Sequence, residues 1–265
     1  MRAFLILIFL GTGGLFTSCS STLDFHVPTQ SFSSPEVVGE TLGVTAQAAF
    51  SNSTKFRLAR LEQAAIFSSQ VDISTEEGTT KDNILNTSAA LGLGNAVEAT
   101  YRAYADSPNL IGAKVQLIGR DEGQKLEGIK LSLHAGYGSG QVDNKSFSAS
   151  NGSGTTREYN STLDIEAYEL GSSLGYRLSE TFMPYLSYNF RSYDAEGNLS
   201  SASFTDQTIT GRAKVRSTQL GLLINKSRFY LQLEGGHAKS TWRGADSRDD
   251  YTLGLSLGMR IFTAS

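Results

Sequence analysis

From about residue 37 onward, apolar and polar residues alternate with a period of two, in one segment after another. The last segment is the plainest. Tyr251, Leu253, Leu255, Leu257, Met259 and Ile261 fall on one face, and Thr252, Gly254, Ser256, Gly258 and Arg260 on the other. A helix at 3.6 residues per turn would mix the two sets around its circumference, whereas successive residues of a strand point to opposite sides. The same pattern sets Ile129, Leu131, Leu133, Ala135 and Tyr137 against Lys130, Ser132, His134 and Gly136. It also sets Val97, Ala99, Tyr101 and Ala103 against Glu98, Thr100, Arg102 and Tyr104. The chain is therefore expected to be all-β, and its 27 Gly, 4 Pro and 18% charged residues fit a turn-rich β-protein.

Eleven strand candidates follow: 40–50, 55–70, 84–93, 96–105, 110–119, 129–138, 162–178, 182–193, 212–225, 229–241 and 251–262. Segment 55–70 also fits helical spacing. Either it splits into two strands or it, or its neighbour, lies inside or beneath the sheet, so the expected count is ten or twelve. The links at Gly94-Asn95, Ser179 to Thr181 and Asn225 to Arg228 are tight. Residues 139–160, 194–208 and 242–250 read as long polar loops. Short turns at one end and long loops at the other mark a transmembrane antiparallel up-and-down β-barrel, with the short turns periplasmic. A soluble sandwich explains the alternation equally well but not this asymmetry. After the first twenty residues no apolar stretch reaches eighteen, so no helical span is expected.

Residues 1–18 read as an export signal, with Arg2, an apolar core from Ala3 to Leu10 and a glycine break at Gly11, Gly13 and Gly14. The single Cys excludes an internal disulfide framework. Ser18-Cys19 resembles the lipobox of bacterial lipoproteins, although Phe16 stands where that pattern prefers Leu. The resemblance implies acylation of Cys19 and, with Ser20 following, transfer to the outer membrane. Residues 19–36, polar and bearing Pro28 and Pro35, read as a tether. Residues 37–265 form the barrel, with the N-terminus on the periplasmic side.

The export signal, the alternating strands, Leu91-Gly92-Leu93-Gly94-Asn95-Ala96-Val97-Glu98 and Leu174-Gly175-Tyr176-Arg177-Leu178-Ser179 together resemble Gram-negative outer-membrane β-barrel proteins as a class. Phe262, followed by Thr263, Ala264 and Ser265, departs from the terminal Phe common there. The resemblance implies outer-membrane lipid and the barrel-assembly machinery as partners.

With 23 Lys and Arg against 26 Asp and Glu, and no long basic run, nucleic acid is not an expected partner. The functional candidates are the polar-face residues assigned to the lumen: Glu98, Arg102, Lys114, Arg120, Lys130, His134, Glu169, Arg177, Arg191, Glu234 and Arg260. Cations outnumber anions among them. Two readings stay open: a pore for small polar solutes whose selectivity these charges set, or a charge network that plugs the barrel and leaves a structural or loop-presenting adhesion protein. An outer-membrane hydrolase is the remoter alternative, and no enzyme is expected. His134 lacks a nucleophile motif, and the pairing of His237 with Asp246, Asp249 and Asp250 reads as ordinary solvated surface. Those three Asp lack EF-hand spacing, and the glycine-rich stretches 135–140 and 151–154 precede no helix. No cofactor or metal is expected.

Overall fold

The computed structural model describes residues 20–39, 41–63, 71–74, 78–119, 127–150, 156–201, 204–243 and 246–261. All regular structure among them is strand: β1 (Ser20–Pro28), β2 (Val44–Gln63), β3 (Val71–Ser74), β4 (Gly78–Gly92), β5 (Val97–Tyr104), β6 (Leu110–Ile118), β7 (Gly128–Ser150), β8 (Thr156–Arg177), β9 (Phe182–Ser201), β10 (Phe204–Lys226), β11 (Phe229–Trp242) and β12 (Asp246–Ile261). Each strand from β4 to β12 pairs antiparallel with the next. β2 closes the ring by pairing with both β12 and β4. Ten strands thus form the wall, while β1 and β3 pair only with β2. The doubtful segment 55–70 resolves simply: through Gln63 it continues the same strand as residues 44–50.

Alternation sets the wall's two faces. On β8, Tyr168, Leu170, Leu174 and Tyr176 point outward and are exposed, while Glu169, Ser173 and Arg177 are buried inside. Phe182, Leu186, Tyr188, Leu220, Phe229, Leu253, Leu255 and Leu257 continue this outer band around the ring. From Tyr176 to Tyr168 is ~26 Å along the strand at ~3.3 Å per residue, or ~20 Å of height at the usual barrel tilt, about the apolar band of a membrane barrel. Aromatic side chains border it at both edges: Tyr176, Phe182 and Phe229 toward the short turns, and Tyr101, Tyr137, Tyr168 and Phe190 at the other end.

Beyond Tyr168 the alternation continues with its faces exchanged. Leu163, Ile165 and Ala167 are buried inside, whereas Asp164 and Glu166 face out. The same exchange runs through β9, where Tyr193, Ala195 and Leu199 lie inside, and β10, where Ala213 and Val215 do. These segments, expected as loops 139–160, 194–208 and 242–250, are mostly strand extensions that carry the wall past the lipid into water. There the burden of apolar burial moves from the lipid side to the interior.

That interior is filled by β1 and the upper half of β2. At Ser51 β2 parts from β12, and residues 53–62 pair with β1 instead. Leu23, Phe25 and Val27 on β1 and Phe56, Leu58 and Leu61 on β2 are wholly buried against Tyr193 and Trp242. Phe25 stacks on Phe56 at 5.6 Å and on Tyr193 at 6.1 Å between ring centroids. Gly211 makes room for this cluster, since a Cβ there would lie 2.4 Å from the Trp242 ring. Of the stretch 19–36 expected as a polar tether, Ser20–Pro28 is therefore a core strand.

The exchange of faces is testable on one strand. Leu220→Arg, in the outer band of β10, is expected to cost about 2–4 kcal/mol, as cations do when facing lipid near the midplane. Thr210→Arg, on the same face but in the water-exposed extension, should stay within about 0.5 kcal/mol of the parent. Reversible urea unfolding in detergent micelles or vesicles measures both.

Candidate functional site: an occupied lumen

Below Pro28 the chain makes one last backbone bond to β2, from Thr29 N to Asn52 O, and continues to Val38 as an irregular segment with bends at Thr29 and Pro35 and a positive φ at Phe32. This segment begins at Arg191, beside the Phe190 rim, and ends at Glu98, beside the tight turn at Gly94-Asn95, and so runs the height of the apolar band. Side chains of successive wall strands touch this segment all round the ring, which puts it inside the barrel. An eight-stranded barrel is just filled by its own side chains, and ten strands leave width for one more chain.

A backbone away from water needs partners for its N–H and C=O groups. Here the wall supplies them from side chains. Phe32 N donates to Glu234 at 3.2 Å, Val37 N to Gln116 at 3.1 Å and Val38 N to Glu98 at 2.7 Å. The carbonyl oxygens are met by cations and hydroxyls. Arg191 donates to Pro28 O at 2.5 Å and Gln30 O at 3.2 Å, Lys114 to Glu36 O at 2.6 Å, and Ser173 to Ser33 O at 2.5 Å. Arg177 makes a two-pronged ion pair with Glu36 of the segment itself. Gly254 is bare where Phe32 passes, for a Cβ there would stand 2.6 Å from the ring.

The residues assigned to the lumen fall into place accordingly. Glu98, Lys114, Lys130, His134, Glu169, Arg177, Arg191 and Glu234 are buried, and Arg102 and Arg260 are partly exposed. Arg120 lies outside the described residues. Glu169 is the centre of one cluster, paired with Arg102, with Arg191 at 3.2 Å and with His134 at 3.1 Å. Lys114 pairs with Glu98 at 2.8 Å, and Glu234 accepts from Tyr185 at 2.9 Å. Lys130 donates to Gly119 O at 2.9 Å near the short-turn end. Arg260 lies over the Tyr230 ring and reaches Asn225 at 3.2 Å.

Sequence reading missed the partners on residues 28–38, because an irregular segment has no periodicity of its own. The one available signal was Leu23, Phe25 and Val27 alternating with Asp24 and His26 just before it. His26 is likewise no tether residue: it is buried on β1, 3.2 Å from Ser53. Burial pushes its imidazole below the ordinary value, against the pull of Asp82 at 3.9 Å.

Ser33, His134 and Glu169 stand in the order of a nucleophile, base and orienting acid, at 3.3 Å and 3.1 Å. The surroundings oppose that chemistry. Glu169 is committed to two arginines, and the void beside His134 and Glu169 measures about 10 Å³, room for one water at most. A larger void of about 80 Å³, lined by Glu36, Glu98, Arg102 and Lys114, flanks the segment. His237 and Asp249 approach to 3.6 Å on the outer face, half exposed, while Asp250 is taken by Arg248 at 2.6 Å. Asp246 contributes backbone pairing only, its side chain lying outside the described set. Among the described residues no group of three or more His, Cys, Asp or Glu is placed to hold a metal ion.

A closed antiparallel ring with a lipid-facing apolar band, aromatic rims and a polar interior defines the class: this is a β-barrel of the bacterial outer membrane. No protein-family model matches the chain, and no curated protein matches its sequence. Among solved structures it is similar to Ail, the attachment invasion locus protein of Yersinia pestis, at 12% identity over 84% of this chain and 100% of that one, with a TM-score of 0.30. It is also similar to the outer membrane protease OmpT of Escherichia coli, at 11% identity over 83% and 93% with a TM-score of 0.32. The outer membrane channel DcaP of Acinetobacter baumannii gives 9% identity over 83% and 96%, with a TM-score of 0.20.

Arg191 carries the clearest test of this site. Arg191→Ala bares two carbonyl groups and half of the Glu169 pairing, and is expected to cost about 3–5 kcal/mol, as breaking a buried ion pair does. Arg260→Ala, at the edge of the interior, should cost under about 1 kcal/mol. Unfolding midpoints read by heat-shift gel, with protease cleavage before residue 38 as the local probe, compare the two.

Proposed function

We propose that this chain is a self-plugged, non-conducting and non-enzymatic outer-membrane barrel that presents its extended strands and its N-terminal strand at the cell surface. One observation carries the reading: residues 29–38 occupy the lumen and engage the charges that a pore would have used for selectivity. The excess of interior cations then serves carbonyl oxygens and Glu36 rather than passing anions.

The same threading bears on orientation. Ser20 pairs with Glu62 at the end of the ring opposite the tight turns at Gly94-Asn95, Ser179 to Thr181 and Ser227. With short turns periplasmic, as is the rule for such barrels, Ser20 faces outward. That replaces the periplasmic N-terminus expected from the sequence. Acylation of Cys19, one residue earlier, belongs to this proposal too. Mass spectrometry of the mature N-terminus reads it directly.

Planar-bilayer recording tests the plug. The refolded parent should give no conductance steps, whereas a variant lacking residues 20–38, shown to be folded by heat-shift gel, should give discrete steps. Steps from the intact parent, with a reversal potential that moves in Arg102→Glu, would restore the pore reading. A Ser21→Cys variant in whole cells should react with a membrane-impermeant maleimide; reaction only after the outer membrane is broken would return the N-terminus to the periplasm.

A further inference from the structure

The outer face carries a second feature that the plug does not involve. On β10 the outward positions run Leu220, Thr218, Arg216, Lys214 and Arg212, passing from the apolar band into water. Register sets Arg216 beside Phe190 of β9, at the aromatic rim, and beside Lys239 of β11. Arg216 and Lys239 are thus like charges directly opposite each other across a strand pair, a placement that is destabilising on its own. Neither they nor Lys214 form an ion pair with any described residue. Arg212, one step farther, is already paired with Asp194, and Asp249 lies opposite Lys239 in the register and 3.6 Å from His237 without closing an ion pair to Lys239.

These cations border the β10–β11 side of a concave outer surface enclosing about 1240 Å³, whose β8–β9 side carries Asp164, Glu166, Asp194 and Glu196, and Arg216 lies 5.8 Å over the Phe190 ring. Three cations outside any ion pair with a described residue stand at the edge of a lipid-facing band, with Leu220 and Tyr188 exposed below and Phe190 half-buried beside Arg216, and match an amphiphile that has phosphate at its head and acyl chains beneath. We propose that Lys214, Arg216 and Lys239 form a binding site for the phosphate of an outer-leaflet glycolipid. A phosphate between Arg216 and Lys239 would turn their repulsion into two charge-assisted hydrogen bonds. A soluble anionic partner fits less well, because the patch begins at the aromatic rim and faces sideways into the lipid headgroups rather than toward the barrel mouth.

The probe is bis-phosphorylated lipid A, titrated against the refolded full chain in a neutral detergent. The parent should bind it saturably and more weakly as salt rises. The triple variant Lys214→Gln, Arg216→Gln, Lys239→Gln should bind about tenfold or more weakly, in line with lost charge-assisted contacts. Lipid A stripped of phosphate should bind the parent as poorly. Lys226→Gln, at the short-turn end, should bind like the parent. Heat-shift gels confirm that each variant is folded. Unchanged affinity in the folded triple variant, or equal binding of dephosphorylated lipid A, would overturn the proposal. Inorganic phosphate binding as tightly as lipid A would overturn the lipid assignment in favour of a soluble anion. None of these outcomes depends on whether the lumen conducts.

Discussion

The molecule depends on a backbone that has nowhere else to find its hydrogen bonds. Residues 29–38 run as an irregular segment through a membrane-spanning ring, and each unsatisfied peptide group in such a place costs on the order of 1–3 kcal/mol. A second strand beside the segment would have met the need, but at this level β2 is part of the wall, paired with both β12 and β4, and no strand lies beside the segment. The wall therefore substitutes side chains for a neighbouring strand. Glu98, Gln116 and Glu234 accept from its N–H groups, and Arg191, Lys114 and Ser173 donate to its carbonyls. The interior charge pattern is the complement of a threaded peptide, which accounts for both signs being present and for cations being in excess.

The second organising feature is the exchange of faces along the long strands. Within the lipid the wall is apolar outside and polar inside, so the threaded segment there is polar. Above it the wall is polar outside and apolar inside, so β1 changes character to match, with Leu23, Phe25 and Val27 buried around Trp242. One continuous chain, Ser20 to Val38, is apolar in its upper part and hydrogen-bonding in its lower part because the two stretches of wall demand different contents. The lone cations at the boundary, Arg216 and Lys239, mark the level at which the exchange occurs on β10 and β11.

Much of the barrel was readable from residues alone. The period-two faces of β5, β6, β7, β11 and β12 are plain, as are the tight turns, and the buried polar positions from Glu98 to Glu234 follow from the alternation. The long extensions were not recognised as strands because their polar residues were taken for loop composition. Yet Leu163, Ile165 and Ala167 alternate as strictly as Leu170 and Leu174, only in opposite phase. The phase change was itself the signal for the membrane boundary. Residues 19–36 misled for a related reason: Ser, Thr and Pro suit a tether in water as well as they suit a segment whose partners are side chains far away in sequence.

The sequence by itself determined the class of fold, since alternation at period two leaves strands no choice of which side chains share a face, and a chain without a helical span can cross lipid only as a closed barrel. It also determined which residues share the interior. It did not determine what they face. Phe32 meets Glu234 across 202 positions, and Arg177 meets Glu36 across 141. No local pattern encodes contacts between a non-repeating segment and eight separate strands. Whether the interior is a channel or a filled bore was decided only when the ring closed around its own N-terminal chain, because the width of ten strands and the need to satisfy that backbone are properties of the assembled wall.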